Sequence, residues 1–459
     1  MSKRLFLTIS AAISVAILTA AAQPATAPKA ATPAPPPPAD PFVQDPRAPK
    51  PPQGPVAEAP VNPINLLTTV ETWALSQSDF AALLKHPSDD PAFYNGIETL
   101  SKTGKAKLVG LMAVSAKPGQ RAIIEAVDEV RYGTQFGPAA RPEGIPLPVK
   151  WETRNVGDTL ELEPLLGEDG ETIDITLVPQ TVRFGGFEDV RAEAVSGPIA
   201  QPKFHTEKVN TSVARKSGVA TFLSTATYSG GIETAEATVH VQILRTSVQK
   251  APPPREPFTT GQTRVEFLLY TLDRDAAQRI LMENTDSAAS FAAVAALADK
   301  GEAQLELVRA LVTKSGQRAV TEEIVEKRYG ANSGKPPGVA AENAPDKQSP
   351  SPSPSFETRN VGFTFECEPM LLEGGLYADI NIVPQIVSVS DVLKVNGIAA
   401  RYPAQPVFTM RKITTSAITG SGVPVLLGTM NHPRENGVNG RKDNGKTSLA
   451  YVRMTPSTP

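Results

Sequence analysis

Residues 152–182 read ETRNVGDTLELEPLLGEDGETIDITLVPQTV, and residues 357–387 read ETRNVGFTFECEPMLLEGGLYADINIVPQIV. At a constant offset of 205 these stretches share 19 of 31 residues, so one unit is written twice. In the first repeat Ile173, Ile175 and Leu177 alternate with Asp174, Thr176 and Val178. A period of two puts the apolar side chains on one face and the others toward water, which predicts a strand of a half-covered antiparallel sheet.

The repetition extends in both directions. Leu100–Gly133 matches Leu297–Gly330 at an offset of 197 with 15 of 34 positions identical, and both segments contain Gly-Gln-Arg-Ala and end in Arg-Tyr-Gly. Gln201–Leu223 matches Gln405–Leu427 at an offset of 204 with 10 of 23 identical. The step from 197 to 205 is an eight-residue insertion in a Pro/Ser-rich loop of the second repeat, about 331–356, and insertions of this kind predict solvated backbone.

Each repeat opens with an apolar stretch that suits a strand, Leu66–Leu75 or Val265–Leu272. Amphipathic segments around Asp79–Lys85 and Asp275–Met282 predict a helix. A second helix, near Phe93–Ser101 or Ala288–Ala298, ends at a turn glycine, Gly104 or Gly301. Thr211–Leu223 breaks at Ser217-Gly218 and Thr415–Leu427 at Ser421-Gly422, the pattern of a β-hairpin. Thr238–Leu244 and Ser448–Thr455 are the last strands. The expected fold class is α+β and β-dominated: two tandem domains, each with one or two short helices and an antiparallel sheet.

The ends of the repeats set the domain map. Lys3 and Arg4, the apolar run Leu5–Leu18 and the small residues Ala20–Ala22 predict a signal peptide over 1–22, too short to span a membrane comfortably. A Pro/Ala-rich spacer follows over 23–63, where proline removes donors and fixes φ. The first domain is expected over 64–247, a linker with Pro252, Pro253 and Pro254 over 248–263, and the second domain over 264–459. A net charge of −3 gives no electrostatic footprint for nucleic acid. The single cysteine, Cys367, excludes an internal disulfide and a cysteine zinc cage; it aligns with Leu162, which predicts a small buried hydrophobe.

Catalysis has little to stand on. None of His86, His205, His240 and His432 recurs in the other repeat, so all four read as surface or incidental. No zinc or phosphate-loop motif occurs, and no catalytic, cofactor or metal residue is assigned. Glu163 with Glu368, and Asp174 with Asp379, recur; paired carboxylates serve acid–base chemistry or calcium, but alternation favours a solvated strand face. In Gly119-Gln120-Arg121 and Gly316-Gln317-Arg318 the arginines are expected to pair with Glu125 and with Glu322 or Glu323. Arg154 and Arg359 leave a choice between a buried bidentate pair and a cation for a partner. Gly119, Gly157 and Gly218, with Gly316, Gly362 and Gly422, are expected where elements end and turns begin.

The order of these motifs resembles the core domain of the secretin family, the outer-membrane channels of type II and type III secretion and of pilus systems. Gly119–Ala122 sits where that family has its glycine-bearing turn before a strand. Val156–Pro164 and Val361–Pro369 match its Val-Gly-x-x-Leu-x-x-x-Pro stretch. Ser421–Gly428 resembles its Asp-Gly-x-x-Val-x-x-Gly hairpin, and Val452–Pro456 its terminal strand. The resemblance covers about 66–245 and 264–456. It implies an exported protein of the periplasm or outer membrane that associates with itself or with envelope secretion-system proteins, with membrane association left open.

The departures are specific. The family's Val-Pro-x-Leu-Gly-x-Ile-Pro stretch is replaced by short polar intervals, Ser224–Glu236 and Thr429–Lys446, and the domains that precede its core are replaced by the spacer. Channel-forming members carry one core per subunit, whereas this chain carries two. Nor does the sequence show a convincing pair of membrane strands of about 9–11 residues with an apolar outer face. The expected function is a secretin-like structural or assembly component without enzyme activity; the alternatives are an oligomeric secretion channel and, last, a periplasmic enzyme using the shared carboxylates.

Overall fold

The apolar run that opens each repeat becomes a strand buried on both faces. Along β10 (Gln262–Asp273), Val265, Phe267 and Leu269 enter one core while Leu268, Tyr270 and Leu272 enter another. Such a strand needs cover twice, from helices on one face and from a second sheet on the other. The computed structural model describes residues 63–457, apart from 86–89, 138–145, 192–197, 229–237, 252, 259–260, 285, 331–354, 394–401, 403 and 435–436. The expected signal peptide, the spacer up to 62, most of the inserted loop and His86 therefore lie outside the described residues.

Both repeats follow one order. The first runs β1 (Ile64–Ser76), α1 (Gln77–Leu84), α2 (Asp90–Lys102), β2 (Ala106–Ala116), β3 (Ala122–Phe136), β4 (Pro148–Leu166) and β5 (Thr172–Arg191). It ends with β6 (Pro198–Lys208), β7 (Thr211–Lys216), β8 (Thr221–Tyr228) and β9 (Thr238–Lys250). The second runs β10, α3 (Arg274–Glu283), α4 (Ser287–Asp299), β11 (Ala303–Lys314), β12 (Ala319–Gly330), β13 (Phe356–Leu371) and β14 (Tyr377–Val392). β15 (Pro406–Gly420), β16 (Val425–Thr429) and β17 (Lys446–Pro456) close it. The helices fall where the sequence predicts them.

Two antiparallel sheets result. The eight-stranded sheet has the order β11-β10-β17-β16-β2-β1-β9-β8, and the nine-stranded sheet the order β12-β13-β14-β15-β3-β4-β5-β6, with β7 also on β5. Both sheets run through both repeats. Phe408–Thr414 of β15 lie opposite Glu129–Ile123 of β3, and Gly428 of β16 lies opposite Val114 of β2. The central core between the sheets likewise draws on both, with Leu160, Leu162 and Ile175 beside Phe267, Phe365, Ile380 and Val452. On the outer face of the eight-stranded sheet, α2 buries Tyr94 and Ile97 against Trp73 and Val241, while α3 and α4 bury Leu281 and Val294 with Tyr451.

Two local expectations need correction. β7 and β8 do not form a hairpin across Ser217-Gly218. β7 pairs with β5 in one sheet and β8 with β9 in the other, and β15 and β16 divide in the same way across Ser421-Gly422. These turns carry the chain from sheet to sheet, and each glycine starts the new pairing: Gly218 N–H donates to Thr246 O and Gly422 N–H to Met454 O. Gly157 and Gly362, expected at turns, stand inside β4 and β13 with φ of +139° and +136°. A Cβ at these positions would come within 2.2 Å of Ala126 O or 2.0 Å of Glu323 O, so the neighbouring strand's backbone occupies the space a side chain needs.

Gly157→Ala and Gly362→Ala should each lower stability by at least about 1–3 kcal/mol, because positive φ and backbone overlap add; the urea midpoint measures this. Cys367 is 1% exposed, and burial pushes its thiol up to about 12. It should resist thiol reagents in the native protein and react once the chain is unfolded.

Candidate functional site

Pairing two repeats leaves β2 with more exposed backbone than the five-residue β16 covers, and the polar segment after β16 supplies the remainder through side chains. Thr429 Oγ1 accepts from the Ala113 N–H at 3.1 Å. Asn431 Nδ2 donates to Leu111 O at 2.7 Å, Arg434 to Val109 O at 2.7 Å, and Arg274 of α3 to Leu108 O at 3.3 Å. The second repeat thus completes the edge of β2 carbonyl by carbonyl. Gly110 makes room for this, since a Cβ there would meet the Arg434 guanidinium at 2.4 Å.

Arg434 is the centre of the joint. Its Nε and one terminal nitrogen each lie 2.6 Å from the Asp158 carboxylate, a buried bidentate pair, and Asp158 also accepts from Thr181 Oγ1 at 2.7 Å. Burial opposes ionisation of Asp158, but Arg434 outweighs it and holds the carboxyl below its ordinary range. Close by, Asp443 takes a bidentate contact from Arg274 and the N–H of Gly445 at 3.1 Å; against the cost of burial, Arg274 lowers its pKa as well. Asp128 on β3 is fully buried and meets Thr409 Oγ1 and Arg441 of the second repeat. The Gly437 backbone lies against Phe184 O too closely for any Cβ.

A second group of contacts follows the β15–β3 ladder. Arg359 holds Glu129 with Nε at 3.0 Å and a terminal nitrogen at 2.5 Å. Arg131 holds Glu357 in return, one contact at 2.8 Å, and its guanidinium lies 5.0 Å from the centre of the Tyr329 ring. Lys117 pairs with Asp379, and Asn65 exchanges two hydrogen bonds of 2.8 Å with the backbone of Ile418. Each of these crosses from one repeat to the other.

The residues singled out in the sequence part company here. Arg359 makes a bidentate pair, half-buried, whereas Arg154 is exposed and, among the described residues, reaches Thr206 Oγ1 at 3.5 Å. Arg121 and Arg318 pair with Glu161 and Glu366 across the neighbouring strand, not with Glu125 or Glu322 and Glu323 along their own. A cross-strand neighbour is nearer than the next residue but one on the same face. Gly119 and Gly316 open the turns before β3 and β12, donating to Pro164 O and Pro369 O, each at 2.7 Å; Gln120 and Gln317 close them on Lys117 O and Lys314 O. Glu163 is exposed and Glu368 half-buried on the outer face; Asp174 is exposed, while Asp379 is drawn into the joint. His240 is not incidental surface: it lies 3.6 Å from Glu207, which Arg183 also holds.

Beside the joint a polar cleft of about 530 Å³ is lined by Lys107, Asp158, Arg183, His240, Arg434 and Lys442. Its arginines are already neutralised by Asp158 and Glu207. Among the described residues, no group of three or more His, Cys, Asp or Glu side chains is placed to hold a metal ion. The arrangement ties the two repeats, and the two sheets, together at one place. Sequence reasoning missed Arg434, Asp158, Arg274 and Asp443. One signal was present: ETRNVG is identical in both repeats, and the next residue is Asp158 in one and Phe363 in the other.

No protein-family model matches this chain, and no curated protein matches it. Solved structures do. The type II secretion system secretin GspD of E. coli K12 is 11% identical over 40% of this chain and 48% of that one, with a TM-score of 0.17. The Salmonella SPI-1 type III secretion injectisome secretin InvG is 12% identical over 42% of this chain and 64% of that one, with a TM-score of 0.21. GspD in the ETEC pilotin–secretin AspS–GspD complex is 9% identical over 85% of this chain and 49% of that one, with a TM-score of 0.19. The chain spans about half the length of the K12 secretin.

Arg434→Ala should cost about 3–5 kcal/mol, because it leaves Asp158 charged and buried without its bidentate cation. Arg434→Met combined with Asp158→Asn should cost less than the single change, and a chemical-denaturation cycle separates the two. Glu306 on β11 behaves alike: burial raises its pKa, but the Arg411 guanidinium of β15 that holds it outweighs this, so the folded pKa values of Asp158, Asp443 and Glu306 lie below the ordinary 3.8 and 4.5. Their contribution is present above those ordinary values and is lost as pH falls through the lower folded ones, so stability should drop steeply below about pH 4.

Proposed function

We propose that the chain is a secretin-like structural or assembly component of the bacterial envelope, a non-catalytic wall element serving protein secretion of the type II or type III kind. The ordered motifs carry this reading. The Gly-Gln-Arg-Ala turns, the Val-Gly stretches and the Ser-Gly-Val turns all build the two sheets and the joint between repeats. Of the cleft's arginines, Arg434 is committed to Asp158 across the joint and Arg183 to Glu207 within the first repeat, which favours a wall over a binding pocket for a small anion.

A second reading, an oligomeric outer-membrane channel, is favoured by strand length. β3, β4, β5, β13 and β14 have 15, 19, 20, 16 and 16 residues, longer than the roughly 9–11 that cross a bilayer. The positions that alternate with the buried ones weigh against lipid: Glu161, Glu163 and Asp174, with Glu366, Glu368 and Asp379 in the second repeat. A lipid-facing band is apolar at those positions.

The discriminating experiment is fractionation of producing cells, followed by native mass analysis with and without detergent and reconstitution into planar bilayers. The wall reading expects an envelope fraction released by salt or mild detergent and no conductance. Detergent-dependent, heat-resistant assemblies that conduct would install the channel reading in its place.

A further inference from the structure

The joint between repeats uses only half of the edges that the duplication creates. β2 and β3 of the first repeat are covered by β16 and β15 of the second. Among the described residues their counterparts β11 and β12 end the two sheets at one side, each with a single strand neighbour. The counterparts of β15 and β16, namely β6 with β7 and then β8, end the same sheets at the other side. The positions buried in the joint lie open at the free edge. Leu111 is 2% exposed and its counterpart Val308 50%; Leu108 is 5% exposed and Leu305 44%; Val127 is 1% exposed and Ile324 36%.

The charges of the joint recur as well. Glu129 and Arg131, which face Arg359 and Glu357 across the joint, correspond to Glu326 and Arg328 on β12. Arg359 and Glu357 correspond to Arg154 and Glu152 at the opposite end of the molecule. Lys117 and Asp379 correspond to Lys314 and Asp174. All six counterparts keep the residue type, all six are exposed, and none has an ion-pair partner among the described residues.

We propose that the β11–β12 edge binds the β6–β8 edge of a second molecule of this chain, head to tail, in the register of the internal joint. Phe204–Asn210 of one molecule pair antiparallel with Glu326–Val320 of the next. Glu326 takes Arg154, Arg328 takes Glu152, and Lys314 takes Asp174. The apolar row Leu305, Val308 and Ile324 is covered in the same step. The contact is heterologous, so each molecule keeps one edge of each kind and the assembly repeats until it closes or ends. It differs from the internal joint at one place, where Phe363 and Leu307 stand in for Asp158 and Gly110 and leave no receptor for an arginine like Arg434. This inference rests on the duplication and the sheet order, not on a role in secretion.

The test uses the purified chain in sedimentation velocity at rising concentration. Wild type should form head-to-tail oligomers. Glu326→Arg with Arg328→Glu, and separately Arg154→Glu with Glu152→Arg, should each weaken association at least about tenfold, since like charges then face each other. Mixing the two variants restores complementary edges and should restore assembly. A second measurement places the register: Thr206→Cys with Ile324→Cys, opposite each other as Met410 and Val127 are in the joint, should give a ladder of disulfide-linked multimers on oxidation. A wild type that stays monomeric throughout, or oligomers indifferent to both charge reversals, would overturn the proposal. Secretion activity enters neither readout, so a failure of the functional reading leaves this one standing.

Discussion

A strand edge is a row of donors and acceptors, and whatever lies beside it must satisfy them. The position of every other element follows from how this chain meets that requirement once, where β15 and β16 of the second repeat cover β3 and β2 of the first. Because the cover is backbone pairing, the sheets continue without a break and the repeats share a core. Because β16 is short, side chains finish the work, and those side chains bring charge into a buried place. Asp158 then requires Arg434, Asp443 requires Arg274, and Asp128 requires Arg441 and Thr409.

Much of this is local and was legible in the sequence. The alternation of Ile173, Ile175 and Leu177 and the unbroken apolar runs of β1 and β10 report how many faces of a strand are covered, and the structure agrees. Repetition makes such readings stronger, since each element is stated twice. Sequence does not report which strand a given edge chooses. Ser217-Gly218 looks like a hairpin because a turn between two alternating segments looks the same whether the chain returns along its own sheet or crosses to another. Pairing partners lie far apart along the chain, as Phe408 and Glu129 do, and no local period encodes that choice.

The candidate residues show the same division. Gly157 and Gly362 signalled a special backbone, but not that another strand passes within contact distance of their Cα hydrogens. Arg154 and Arg359 sit in identical ETRNVG segments, yet one is exposed and the other is locked in an ion pair. The difference comes from the neighbour alone. Identical text meets different surroundings because two repeats in a row have one inner side and two outer sides.

That count has a consequence for any larger structure built from this chain. In the head-to-tail row proposed above, seams between repeats would come in two kinds, one secured by Arg434 and Asp158 within the chain and one without that lock between chains. The two kinds would alternate along the row, so a pulling force would part it first at every second seam. A closed circle would contain an even number of repeats whatever its diameter, a parity that a subunit with a single repeat does not impose.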